Sequence, residues 1–313
     1  MPVFSVIIPL YNKEKNIADT LQSVFRQVYT DFEVIIINDG STDAGEEEVL
    51  KFKDNRLVYK ATVNRGISKA RNTGIEMAKG NLIAFLDADD IWLPNHLETL
   101  YRLSTNYPQA GLLASGYEFV HPDGAVQKTF FTGIPEDFYG IVPDVFASSL
   151  TYRIMWTSAV AARADVFKAV GVFDESITLG AGEDTDMWIR IALNYPVALS
   201  TIVSAQYILG GVNRVSHTQT LNRSFATLDK FTSEEKSNKS LQRFMDLYRA
   251  SYALKHKMAG DSKTFTFYYK SLNKANIPFK TKVLLATPAA ILKMLFTLKQ
   301  ALKRKKIYID IYN

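Results

Sequence analysis

Cysteine is absent from all 313 residues. That excludes disulfide staples, a cysteine-based zinc site and a thiol nucleophile, and it fits a reducing compartment. Glycine-rich phosphate cradles are missing too. No G-x-G-x-x-G follows the first apolar run and no G-x-x-x-x-G-K-[ST] occurs anywhere, which argues against a dinucleotide dehydrogenase and a P-loop kinase. The start, Met1-Pro2-Val3-Phe4-Ser5-Val6, lacks the basic opening and small-residue cleavage site of a signal peptide, so a cytoplasmic location is expected. A long uninterrupted apolar run is also lacking, because the apolar core of the tail is cut by Pro288 and Lys293 and is too short for a confident membrane span.

Charge is unevenly spread. The chain carries +5, but from Lys280 onward eight Lys/Arg face a single acid, Asp310, so the tail holds +7 and the preceding 279 residues −2. No nucleic-acid partner is expected. Two readings fit residues 280–306 equally. One is a helix in an anionic membrane interface, peripheral on the inner face of the cytoplasmic membrane, with Leu292, Leu295, Phe296 and Leu298 inward and Lys299, Lys303, Arg304, Lys305 and Lys306 at the headgroups. The other is an amphipathic helix packed on its own domain.

What is present is a large apolar content, 47%, enough for a substantial core. Residues 4–9 (FSVIIP) and 33–37 (EVIII) are short Val/Ile-rich runs typical of strands buried on both faces. Between them, Ile17, Leu21, Val24, Phe25 and Val28 recur at helical spacing, predicting a helix over 16–28 and hence a βαβ unit. The alternation continues through a helix at 46–52, a strand at 57–61, a helix at 68–78 and a strand at 82–86. The class is α/β, a mostly parallel sheet covered by helices, with functional groups expected at the carboxyl ends of the strands. Later stretches read as a helix at 93–108, strands at 111–120, 157–162 and 197–210, and a helix at 184–194, while 126–149 shows no clear period. Only helices are expected beyond about residue 222, over 224–252 and 263–273, which divides the chain into a catalytic domain, 1–222, and a helical region with the basic tail, 223–313.

Three early strands end in polar groups: Pro9-Leu10-Tyr11-Asn12, Asn38-Asp39-Gly40-Ser41-Thr42-Asp43 and Asp87-Ala88-Asp89-Asp90. A lone Asp-Gly after a strand is usually only a turn, but three such ends in one sheet converge on one crevice. Carboxylates spaced as in Asp87 and Asp89 are hard oxygen ligands, and Mg²⁺ or Mn²⁺ takes one or two of these together with phosphate oxygens. Helix capping before Ile91-Trp92-Leu93-Pro94 accounts for one of the three acids and leaves two. Without a cation this corner is expected to be loose. Asn64 and Arg71 lie in basic, polar stretches suited to phosphate, although an arginine there also pairs readily with an acid. A second acidic pair, Glu183-Asp184, follows Gly180-Ala181-Gly182 at a helix start. The helix dipole alone favours acids there, and in a cleft the same position supplies a general base.

Taken together, the stretches FSVIIPLYNKEKNI, FEVIIINDGSTD, NRGISKARNTGIEMAKGNLIAFLDADD and GVFDESITLGAGEDTDMWIRIAL, within about residues 3–216, resemble the family 2 glycosyltransferases with a GT-A fold, which implies a Rossmann-like mixed sheet with a C-terminal helical appendage. The resemblance implies an inverting transferase that moves a sugar from a nucleotide-diphosphate sugar to a glycan or lipid-linked acceptor, in cell-surface polysaccharide or glycolipid synthesis. It implies that Pro9, Tyr11 and Asn12 frame the nucleotide and that Asp39 contacts its base. Asp87 and Asp89 would hold the divalent metal and the diphosphate, Asp89 being the direct ligand. Asp184 would be the base, with Glu183 as its support or alternative. One departure stands out: many relatives carry Arg-x-His after the last core strand, whereas here Tyr207-Ile208-Leu209-Gly210-Gly211 stands there, leaving His217 or a water to complete the metal shell. Two rival readings remain, a sugar-phosphate nucleotidylyltransferase and an inactive GT-A domain that binds a glycan or partner. The first would need a Gly-rich, basic loop where Tyr11-Asn12-Lys13-Glu14 stands. Retention of all the acidic elements argues against the second.

Overall fold

A computed structural model of the chain describes residues 1–179, 181–210 and 219–304, with side chains described as far as residue 298. It divides into two compact units, Met1–His217 with Ser224–Ala226, and Thr218–Arg223 with Thr227–Asn313.

The strands of the first unit are β1 (Phe4–Leu10), β2 (Phe32–Asp39), β3 (Leu57–Thr62), β4 (Leu82–Phe85), β5 (Ile91–Trp92), β6 (Leu112–Val120), β7 (Val126–Lys128), β8 (Tyr139–Ile141), β9 (Val160–Arg163) and β10 (Val197–Ile208). Its helices are α1 (Ile17–Phe25), α2 (Gly45–Leu50), α3 (Ile67–Met77), α4 (His96–Asn106), α5 (Val145–Ser148), α6 (Val166–Val170) and α7 (Glu183–Asn194). All ten strands form one sheet of order β3-β2-β1-β4-β9-β6-β10-β5, with β7 beside β6 and β8 beside β10. The apolar runs FSVIIPL and FEVIIIND are buried along their whole length in β1 and β2, where α3 packs on both.

The sheet is mixed, as the resemblance implies, where the strand pattern alone suggests a mostly parallel one. β3, β2, β1 and β4 run parallel, but β9 is antiparallel to both β4 and β6. Two antiparallel steps restore direction, so β6, and β10 which is parallel to it, end at the same edge as β1 to β4. Periodicity could not reveal this, because a short apolar run has no direction.

Other departures are local. Val28, expected on the apolar face of α1, lies past the helix end and is exposed, its N–H bonded to the Pro94 carbonyl. Ile91 and Trp92 pair as a short strand with β10 instead of opening a helix. The expected strand at 157–162 begins with a 3₁₀ turn over Thr157–Ala159. The patternless stretch 126–149 contains β7, β8 and α5.

The second unit is helical: α8 (Thr232–Ser237), α9 (Lys239–Ala259), α10 (Ser262–Ser271), α11 (Phe279–Ala286) and α12 (Ala289–Arg304). Asn238, accepting the Leu241 N–H at 2.9 Å, opens α9, and Gly260, at φ 86°, closes it. One continuous helix over 224–252 was expected, but Asn238 satisfies the first donors of α9 by breaking from α8. Pro288 cannot donate and separates α11 from α12. Leu292, expected on an oily outer side, is buried, with α12 packed on α9. The exposed apolar face consists instead of Ile291, Met294, Leu295 and Leu298. Among the described residues no helix is long and apolar enough to cross a membrane.

Candidate active site

The parallel register aligns Leu10 with Asn38 and Asn38 with Ala61, while Ile7 faces Phe85. Residues just past these points, Asn12, Asp39, Asn64 and Asp87, therefore leave the sheet along one edge, as in other open α/β sheets that bind ligands at the carboxyl ends of their strands. Pro9 is buried at the end of β1, whereas Tyr11 and Asn64 are exposed.

Asn12 adopts φ 52°, a left-handed conformation that asparagine tolerates better than most residues. Its side-chain oxygen accepts the Thr42 N–H at 2.7 Å, and its own N–H donates to Ser41 Oγ at 3.1 Å, tying the β1 end to the β2 end. Asp39 is buried. Its two oxygens accept the N–H groups of Arg65 and Gly66, each at 2.8 Å. Burial raises its pKa, and these two backbone hydrogen bonds oppose that rise.

In the acidic knot each carboxylate has its own partner. Lys13 Nζ lies 2.6 Å from Asp89 Oδ2, and Arg71 Nη2 lies 2.8 Å from Asp87 Oδ1. Asp90 is completely buried, its oxygens accepting from Ser158 Oγ at 2.7 Å and the Ile208 N–H at 3.3 Å. Burial and then the charges of Asp89 and Asp87 push the Asp90 carboxyl well above the usual carboxylate range. The expectation of a loose corner is therefore corrected: two resident cations and a hydroxyl hold the three acids. The sequence already showed Lys13 at a converging strand end, but not that its ammonium reaches Asp89.

Arg71 joins this knot to the second acidic pair. It is 2% exposed, and its Nη1 lies 3.1 Å from Glu183 Oε1. Burial alone would lower its pKa, but the charges of Asp87, Glu183 and Asp184 outweigh it and hold the guanidinium more firmly protonated. Arg71 thus pairs with two carboxylates, the second of the two roles that its sequence context left open.

Glu183 and Asp184 begin α7. Gly182, at φ 105°, supplies the left-handed residue before the helix. Burial and then the neighbouring Asp184 charge raise the Glu183 pKa, with Arg71 opposing. Asp184 goes the other way. Burial would raise it, but Arg153, then Arg71 and the Thr185 hydrogen bonds, hold it below the usual carboxylate range. Arg153 Nη1 stands 3.3 Å from Asp184 Oδ2, and the Thr185 N–H donates to Asp184 Oδ1 at 2.7 Å. Two adjacent acids are driven apart in pKa, the pattern that separates acid and base roles. Arg153 went unnoticed in the sequence because it falls between the patternless stretch 126–149 and the strand expected at 157–162, in no motif.

Lys13 takes Oδ2 of Asp89 and Arg71 takes Oδ1 of Asp87, leaving Asp89 Oδ1 and Asp87 Oδ2 as hard oxygen donors. Among the described residues no group of three or more His, Cys, Asp or Glu could hold a metal ion. Two carboxylates fit a divalent cation that completes its shell with phosphate oxygens and water. His217 lies outside the described residues.

A ten-stranded mixed sheet flanked by helices is the GT-A fold of the nucleotide-sugar transferases, and solved structures share it. Staphylococcus aureus TarS, residues 1–349 in complex with UDP-GlcNAc, superposes with a TM-score of 0.59 at 20% identity, covering 90% of this chain and 78% of that one. Residues 5–141 match the family model described as Glycosyl transferase family 2. Among curated relatives, the Streptococcus pneumoniae glycosyltransferase GlyA is 34% identical over 45% of this chain and 20% of its own length. The Escherichia coli enzyme WfgD, a UDP-Glc:α-D-GlcNAc-diphosphoundecaprenol β-1,3-glucosyltransferase, is 35% identical over 40% of this chain and 49% of its own. The chain spans no more than about half the length of these two relatives. Residues 5–141 are thus a glycosyltransferase family 2 domain.

Replacing a buried partner of two carboxylates strands their charges, so Arg71→Ala should lower unfolding stability by about 3–5 kcal/mol. Urea denaturation measures this, and a loss below about 1 kcal/mol would show that the bridge does not bear on the fold.

Proposed function

We propose that this domain transfers a sugar from a nucleoside-diphosphate sugar to an acceptor hydroxyl with inversion at the anomeric carbon. The observation that carries the reading is the buried Arg71, joining the acid of the donor side, Asp87, to the start of α7, where Asp184 stands ionised. Asp184 takes the proton of the acceptor hydroxyl as that oxygen attacks the anomeric carbon. The bond from that carbon to the diphosphate oxygen breaks, and the nucleoside diphosphate leaves. Glu183, tied to Arg71, orients the turn that presents Asp184.

Pro9, Tyr11 and Asn12 frame the nucleotide, Asp39 and Asn64 face its base and ribose, and Asp87 with Asp89 holds the diphosphate end. A bound Mg²⁺ or Mn²⁺ would supply Lewis-acid stabilisation of the departing diphosphate, worth several kcal/mol. Asp89 and Asp87 would hold it, Lys13 yielding its place on Asp89. A uridine donor is supported by WfgD, described as using UDP-Glc, and by the TarS complex with UDP-GlcNAc. The WfgD description also supports a lipid-linked acceptor in surface polysaccharide synthesis.

General base catalysis contributes ~10²–10⁴-fold. Asp184→Asn should therefore lose at least about a hundredfold in kcat while still binding donor, whereas Asp89→Ala should weaken metal-dependent donor binding itself. Calorimetric titration of UDP-glucose and UDP-N-acetylglucosamine with Mn²⁺, paired with product release, separates the two. Normal turnover by Asp184→Asn would remove Asp184 from the role of base.

A lipid-linked acceptor fits a second part of this proposal, that α12 rests on an anionic membrane surface. Ile291, Met294, Leu295 and Leu298 stand exposed at helical spacing, and lysines such as Lys280, Lys282 and Lys293 flank them in sequence. Each basic residue near such a surface contributes about 1 kcal/mol. The chain should sediment with vesicles containing phosphatidylglycerol and not with phosphatidylcholine alone, and Ile291→Asp with Met294→Asp should release it. Equal sedimentation of that double variant would leave the face to a protein partner.

A further inference from the structure

Seven aromatic rings gather where β6 and β10 end. Phe119 and Tyr207 are paired in register, with ring centroids 5.5 Å apart. Tyr152 stands 5.8 Å from Phe119 and 5.2 Å from Phe130. Beneath them Tyr117, Phe131 and Trp156 are buried, Trp156 lying 4.5 Å from Tyr117 and 5.2 Å from Tyr207. The rim is not buried: Phe130 is 59% exposed, and Phe119, Tyr152 and Tyr207 are partly so. A buried aromatic base under an open aromatic rim is more than core packing requires, since the base alone closes the core.

The cluster's place in the fold gives it a use. The two antiparallel steps through β9 bring the ends of β6 and β10 to the same sheet edge as the acidic knot. At one end of the cluster, the Ile208 N–H, next to Tyr207, donates to Asp90. At the other, Arg153 follows Tyr152 directly, and its guanidinium reaches Asp184. Through its chain neighbours the cluster thus adjoins both the acidic knot, at Asp90, and the proposed base, Asp184. A polar group is set among the rings: Gln127 donates to the Tyr152 hydroxyl at 2.8 Å.

We propose that Phe119, Phe130, Tyr152 and Tyr207 form the shelf on which a pyranose ring of the acceptor stacks. A pyranose presents C–H groups on one face and hydroxyls around its edge. An aromatic face with polar groups at its margin complements both, and Tyr in particular offers a broad amphipathic surface at low entropic cost. This rests on reading the domain as a glycosyltransferase and adds what receives the acceptor: a sugar ring rather than the lipid carrier.

The test is saturation-transfer NMR on the full chain, irradiating the aromatic protons, with methyl β-D-glucopyranoside, methyl β-D-galactopyranoside and methyl N-acetyl-β-D-glucosaminide as probes. Ring protons of at least one probe should be saturated. Because Phe130 is largely exposed, Phe130→Ala should fold, as a thermal melt checks, and should weaken that probe's binding by about tenfold, a usual loss on truncating an aromatic anchor. Phe130→Trp should retain binding. No saturation of any probe, or equal binding by Phe130→Ala and Tyr152→Leu, would overturn the shelf. Titrating UDP-glucose and UDP-N-acetylglucosamine into the wild type separates the two proposals. Sugar saturation without nucleotide binding would leave the shelf standing and remove the transferase reading, and the reverse would do the opposite.

Discussion

Everything proposed for this chain turns on one buried cation. Arg71 reaches from α3 to Asp87, just past the end of β4, and to Glu183 at the start of α7, two acids that stand 96 residues apart in sequence. Burying a guanidinium without partners is prohibitive, and burying one with a single partner is seldom favourable. With two carboxylates around it, the arginine stays charged, and the turn bearing Asp184 is fixed relative to the strand end bearing Asp87. Fixed geometry is what positioning catalysis demands, since a displacement of about 1 Å can cost a hundredfold in rate.

The same logic of resident charge explains the acidic knot. Three carboxylates in four positions would repel one another in a half-buried corner, and the fold answers each separately, with Lys13, with Arg71, and with Ser158 and the Ile208 N–H. On the proposed reading, binding of a divalent ion and a diphosphate would be an exchange of partners at Asp89, not the filling of an unsatisfied hole.

Much of this was legible beforehand. Buried Val/Ile runs gave the strands β1 and β2, helical spacing gave α1, and the polar residues after each strand marked the edge where Asn12, Asp39 and Asp87 gather. What was not legible was long-range. The direction of β9 leaves no trace in a four-residue apolar strand, so the mixed sheet was legible only through the family resemblance. Arg153 belongs to no motif or expected element, and the pairing of Arg71 with two acids depends on contacts across 16 and 112 residues. Local pattern reports which face of an element is apolar, and it does not report which partner arrives there.

The account's central claim is that Asp87 and Glu183 act as one unit through Arg71. A double-mutant cycle on kcat/KM with Asp87→Asn, Glu183→Gln and the pair tests it most directly. Coupled residues give interaction energies of about 0.5–3 kcal/mol. The predicted result is that the pair costs clearly less than the two single losses added together, because either substitution already frees the arginine. Additive losses would show two independent acids and contradict the account.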